Sequence, residues 1–305
     1  MSMKLNVRIA GFLLAGLLLS ACNEKPKAKK EVVDTAKEEK VVDYTIPEAW
    51  INKRVEKAKA KLEKTDAGKV VWAAMEAHGG LKNWYGNGAL AFRFNYQPLD
   101  GSTQRDSYQV VDVWRNKAVH TSAVDSTAKF GWDGATAWVQ AKDSTAFAYD
   151  TRFWALTPLY LFGHPFVLDG EGVHLELLPE TKYKNKVNEV VKVTFAEGTG
   201  DAPDDYYILQ FDKETHLLTA NRYIVSYPAY FKDGGHNPEK FMEVGELVNV
   251  SGVLLPKELK THWTVKGGMP GEYITQIDIT DIHFVKDIDK DFFEVPEDAK
   301  IIKGL

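Results

Sequence analysis

Alternation of apolar and polar residues dominates the chain from Ala89 onward. Ala89–Tyr96 reads ALAFRFNY, with Leu90, Phe92, Phe94 and Tyr96 on one face and Arg93 and Asn95 on the other. A period of two marks a half-buried strand. The same pattern predicts strands near Tyr108–Arg115, Ala118–Val124, Ala135–Ala141, Gly172–Leu178, Glu189–Ala196, Tyr206–Asp212, Leu217–Tyr227, Lys240–Val250, Val253–Val265 and Glu272–Val285. Trp132-Asp133-Gly134, Asp212-Lys213-Glu214-Thr215 and Lys266-Gly267-Gly268 supply turn chemistry at three junctions. About eleven antiparallel strands are too many for a flat open sheet, which must curl. Ahead of them the spacing is helical. Pro47 suits a first helical position, and Glu48 to Lys64 is rich in Ala, Lys and Glu. Thr65 or Asp66 caps a second helix, in which Val70, Ala74 and Ala77 share a face with Val71 and Met75, and His78-Gly79-Gly80 ends it. One segment interrupts the strands. Thr151–Phe166 is apolar nearly all round, with Pro158 inside, and predicts a short broken helix or plug that must be buried on every side. The predicted fold class is α+β, mostly antiparallel β.

The extreme N-terminus follows another pattern. Lys4 and Arg8 precede an apolar run from Ile9 to Leu19, too short to span a bilayer and laid out as a secretory signal over residues 1–21. It ends in Leu19-Ser20-Ala21-Cys22, which resembles the bacterial lipobox. That resemblance implies cleavage before Cys22 and lipidation of its thiol. Two or more acyl chains hold a protein stably on a membrane, each buried methylene contributing about 0.8 kcal/mol. A non-lipidated signal with a chance cysteine is the alternative. Asn23 rather than Asp follows, which under proteobacterial sorting favours the outer membrane, facing the periplasm or the cell surface. Asn23 to Asp43 holds six Lys, six acidic residues and no aromatic, so residues 22–43 read as a solvated, flexible tether. Its mean reach is roughly 25 Å. A basic membrane-contact segment around Lys25, Lys27, Lys29 and Lys30 is opposed by the balancing acids. Residues 44–305 show no repeat and no linker-like break and read as a single domain.

Composition narrows the function. Cys22 is the only cysteine, which excludes a disulfide framework and multi-cysteine metal sites. With 38 Lys+Arg against 43 Asp+Glu, the formal charge is −5, which argues against nucleic acid as a partner.

Two helices followed by a long antiparallel sheet broken by an apolar insert resemble the bacterial lipoprotein-sorting chaperones of the LolA and LolB kind. The likeness extends over most of Asp66–Pro296. Phe130-Gly131-Trp132-Asp133-Gly134 looks like the group's aromatic-Asp-Gly hairpin, and the run from Leu209 to Leu218 and the closing Asp291-Phe292-Phe293-Glu294-Val295-Pro296 are further matches. Ala77-His78-Gly79-Gly80 with Trp84 looks like the opening of uncharacterised Bacteroidetes-type lipoproteins. No position matches the group's locking arginine or its protruding apolar loop. The resemblance implies an incomplete (half) barrel of about eleven strands, packed on N-terminal and inserted helices around an apolar cavity for acyl chains. A barrel of this strand count is wider than its own side chains fill. Candidate lining residues are Phe92, Phe94 and Tyr96 on the first strand, Trp114 and Trp138 farther along, and Trp154, Leu159 and Phe162 in the insert. Tyr207, Leu209, Phe211, Tyr223 and Tyr227 complete the set. The period does not say which sheet face is concave.

Catalytic patterns are missing. There is no HExxH, no Gly-x-Ser-x-Gly elbow around Ser251 and no phosphate loop. His164 and His236 read as surface or capping histidines, and the loop Asp201-Ala202-Pro203-Asp204-Asp205 as a polar turn. Asp287, Asp289 and Asp291 copy three calcium ligands of an EF-hand, but Phe292 and Asp298 stand where Gly and Glu belong, so they read as solvated acids. The expectation is a non-enzymatic, cofactor-free, lipid-anchored envelope protein that binds a lipid or other apolar ligand, in lipid or lipoprotein trafficking. Its alternatives are a scaffold whose core is filled by its own insert and a secreted hydrolase assembled from distant residues.

Overall fold

The computed structural model describes residues 41–302 apart from Tyr44, Ser144 and Pro203. The expected signal, the lipidated Cys22 and the tether up to residue 40 lie outside the described residues. Val41–Asp43, placed by composition at the end of the tether, instead pair as a strand with Asp287–Asp289. The acids read as solvated ahead of the final strand thus begin in a strand themselves.

Helix α1 (Glu48–Leu62) starts with Pro47 at the N-cap rather than inside the first turn. Helix α2 (Asp66–Ala77) is capped as its sequence predicts: the Thr65 hydroxyl accepts from the Gly68 N–H at 3.0 Å. After it, Gly79 takes φ +111°, and a Cβ there would lie 1.9 Å from the Gly252 carbonyl oxygen. Glycine therefore ends α2 and also lets the chain meet a distant hairpin. A third helix, α3 (Gly80–Gly86), follows at once. Its flanking glycines read as a break, but burial of Leu81, Trp84 and Tyr85 holds it in place.

Among the described residues thirteen strands form one antiparallel sheet. In spatial order they are Lys300–Ile302, Ala137–Gln140, Lys129–Trp132, Lys117–Ser122, Arg105–Asp112, Ala89–Pro98, Met269–Val285, Glu258–Val265, Lys240–Val244, Leu218–Tyr223, Tyr207–Asp212, Lys186–Phe195 and Val173–Tyr183. Among the described residues the two outermost strands do not pair with each other, so the sheet is an incomplete barrel. The count exceeds the expected eleven because Lys129–Trp132 and Lys300–Ile302 are too short to show a period. The alternations Lys240–Val250 and Val253–Val265 also break, near Gly245 and Pro256. Their far ends, Leu247–Val250 and Val253–Pro256, peel off as a separate hairpin. That hairpin reaches the helices: Leu254 N–H donates to the His78 carbonyl at 2.8 Å, and Val253 and Leu255 are buried.

The insert resolves into α4 (Thr151–Trp154), α5 (Thr157–Phe162) and a 3₁₀ turn at Phe166–Leu168. It joins strand Ala137–Gln140, next to one end of the sheet, to Val173–Tyr183 at the other end. The chain must therefore cross the hollow side here. The continuous core lies on that side, where α1–α3, the insert and one face of the sheet meet.

Candidate functional site

Apolar burial seats the insert first. Phe162 meets Phe92 with ring centroids 4.5 Å apart, Phe166 stacks on Trp84 of α3 at 4.8 Å, and Trp154 meets Tyr96 edge-on at 4.9 Å. The insert fills part of the hollow, as an all-apolar helix must. A partly open cavity of about 390 Å³ remains. Trp84 and Tyr85 of α3 wall it on one side, and Phe153, Trp154, Leu156, Leu159, Tyr160 and Phe166 of the insert on another. The sheet contributes Tyr96, Phe195, Tyr207 and Tyr223, with Val225 and Tyr227 just beyond. Burial raises the hydroxyl pKa values of Tyr160, Tyr207 and Tyr223 above the ordinary value, so these rings stay neutral.

Six of the residues chosen from the sequence line this cavity: Tyr96, Trp154, Leu159, Tyr207, Tyr223 and Tyr227. The other seven do not. Phe92, Phe94, Phe162, Leu209 and Phe211 are packed solid in the core behind the wall. Trp114 is half-buried against Tyr85, ring centroids 5.2 Å apart, beneath the Arg54 guanidinium. Trp138 is on the wrong face. Its neighbour Val139 packs on the main core, so alternation sends Trp138 outward, where Ile288 and Phe293 cover it. Gly131 stands opposite in register, and a Cβ there would come within 2.6 Å of the indole.

The cavity's charged residues were not legible in the sequence. The Arg54 guanidinium donates to both carboxylate oxygens of Asp169, at 2.6 and 3.0 Å, and Tyr85 donates to the same carboxylate at 2.9 Å. Arg152 of α4 pairs with Asp201 at 2.5 Å and lies 3.8 Å from the centre of the Trp132 ring. Asp205 accepts from the Ser226 N–H at 2.6 Å and hydroxyl at 2.7 Å, and burial raises its carboxyl pKa above the usual carboxylate range. The acidic loop read as a polar turn thus borders the cavity. Lys240 also lines it. No local motif marks these residues, because the sheet register and the return of the insert bring them together.

His164 is not a surface histidine. It is 2% exposed, packed against the Tyr160 and Tyr207 rings with centroids 5.2 Å from each, and burial pushes its pKa down to about 3. His236 is exposed, as expected. The nearest approach to a hydrolase pair is Ser107 and His120. His120 Nε2 lies 2.9 Å from the Ala155 carbonyl, which only accepts, so Nε2 carries the proton; Nδ1 then accepts from the Ser107 hydroxyl at 3.2 Å. Both residues are buried and neither lines the cavity. The pair ties the insert to the sheet. Among the described residues no three His, Cys, Asp or Glu side chains stand together as a metal site.

No family model and no curated protein matches the chain. Its fold is similar to that of a LolA superfamily protein from Nitrosomonas europaea, at 11% identity and a TM-score of 0.48, covering 75% of this chain and 97% of that one. A putative outer membrane lipoprotein-sorting protein domain from Vibrio parahaemolyticus has 9% identity and a TM-score of 0.48, over 78% and 97% of the two chains. A DUF1329 family protein from Desulfovibrio piger has 10% identity and a TM-score of 0.46, over 80% and 97%. These are likenesses of architecture, and they carry nothing about ligand or activity.

Proposed function

We propose that the protein is a lipid-anchored envelope protein that binds a lipid or another apolar molecule in this cavity, serving lipid or lipoprotein trafficking by binding and not by catalysis. The observation that carries the reading is a hollow of about 390 Å³, left open after the chain's own insert has packed. Its walls are mostly aromatic and aliphatic. Small-molecule sites span roughly 300–1,000 Å³ and are lined in this way. Water gains little in an apolar hollow, whereas covering apolar surface contributes about 25 cal/mol per Å². The lipobox-like Leu19-Ser20-Ala21-Cys22 supports the anchor. The test is organic extraction and native mass spectrometry of protein produced in a bacterial envelope. A lipid should co-purify, and the emptied protein should take up a neutral fluorescent apolar probe; absence of both overturns the reading.

A second reading, a scaffold whose core is its own insert, is favoured by the complete burial of Phe162 and Phe166. The two readings separate when the insert is thinned at Phe162.

A further inference from the structure

The charged residues of the cavity are not all balanced. Arg54 is paired with Asp169 and Arg152 with Asp201; Asp205 has no cation partner among the described residues, but its carboxylate accepts from both the N–H and the hydroxyl of Ser226. Lys240 differs. Its ammonium lies 6.0 Å from the Tyr223 ring centre and 5.7 Å from that of Trp263, and it pairs with no carboxylate among the described residues. A second cation stands near it. Arg105 faces Tyr96 across the sheet and lies 5.0 Å from that ring and 4.8 Å from Trp154, both of which line the cavity. Its Nη1 donates to the Thr103 carbonyl, and its buried Nε has no hydrogen-bond partner among the described residues. It too forms no ion pair among the described residues. Burial, and then the charge of Arg105, pull the Lys240 pKa below its ordinary value. An ammonium so placed has lost water and gained no anion in return.

We propose that the cavity takes an amphiphile with a single acyl chain and an anionic head group, a fatty-acid carboxylate, with the head between Lys240 and Arg105 and the chain under the insert. This deepens the binding reading above and rests on it. Size favours one chain over several, since about 390 Å³ is near the lower end of the roughly 300–1,000 Å³ of small-molecule sites. Charge favours an anion. Charge-assisted hydrogen bonds are the strong ones, and they gain further in a low-dielectric wall. A neutral lipid would leave both cations uncompensated.

Displacement of a neutral fluorescent probe from the full chain, by palmitic acid and by hexadecanol in parallel, tests this. Palmitic acid should bind at least about tenfold more tightly than the alcohol, the ratio one charge-assisted hydrogen bond supplies. Lys240→Met and Arg105→Gln should each shrink that ratio, and Lys240→Arg should retain it. Equal affinity for acid and alcohol, or loss of both in equal measure in Lys240→Met, overturns the anionic head group and leaves apolar binding standing. Failure of both compounds to displace the probe overturns the two readings together.

Discussion

Buried imidazoles set how the protein responds to acid. His120 is held at about pKa 4 and His164 at about 3, against an ordinary 6.5, in both cases by burial. An unfolded chain takes up protons at these histidines in mild acid, while the native state does not. Because the folded values lie below the unfolded one, the stability they contribute is whole above about pH 6.5 and falls as pH drops through that value toward 4. For His120 alone the loss approaches about 3 kcal/mol over that window. Urea unfolding followed from pH 7 to 4.5 should show the decline, and His120→Gln should make it shallower while the shares owed to His164 and to carboxylates persist. An unchanged slope in His120→Gln would place the acid sensitivity elsewhere. The partners of His120 give this a structural reading, since the imidazole joins Ser107 of the sheet to Ala155 of the insert. Nothing in the local sequence around His120 announces that role, because Ala155 reaches it only after the insert has folded back.

Elements whose face is set by local spacing were legible; those set by their surroundings were not. Helix α2 has its Thr65 cap, its apolar face and its glycine stop written in consecutive residues. Helix α3 has only seven residues, with glycine at both ends, and owes its place to Trp84 against Phe166. The insert was legible as a buried segment, yet how much of the hollow it fills depends on packing. Phe162 decides part of that. Removing its ring by Phe162→Ala should destabilise the fold by about 3–4 kcal/mol, as large-to-small core changes do. The same change opens space beside the cavity-lining Leu161. A ligand-binding protein should then bind a bulkier probe, such as a pyrene-labelled lipid, more tightly than the parent does. A self-filled scaffold should lose stability and bind none; denaturation and fluorescence titration of one variant read both quantities.

At the scale of the whole molecule, the sheet has a protected middle and two exposed ends. Ala89–Pro98 and Met269–Val285 pair along most of their length at its centre, and Phe92, Phe94, Ile277 and Ile279 are buried there. Among the described residues nothing pairs with the outer side of Val173–Tyr183 or of Lys300–Ile302. The longer of these edges carries Glu176, Glu180 and Lys182, charges that discourage pairing with another chain. Amide hydrogen exchange should accordingly be slowest across residues 90–96 and 275–279 and fastest in 300–302 and the outer half of 173–183. Uniform protection from centre to edge would mean that the two ends are joined in solution.

Period two fixed which residues share a side of each strand, and the all-apolar run fixed that the middle of the chain is buried, because both follow from side-chain spacing along a few consecutive residues. Which side faces the hollow is a property of how the sheet curls, so Trp138 and Tyr96 look alike in sequence and end on opposite faces. Register is likewise not written in the period. Lys240 lies opposite Tyr223, and Arg105 opposite Tyr96, because successive strands align to bury their apolar sides together, and the cavity beside them forms only when the insert folds back. The greasy wall could be drawn from composition and alternation; its charges were placed by the tertiary fold.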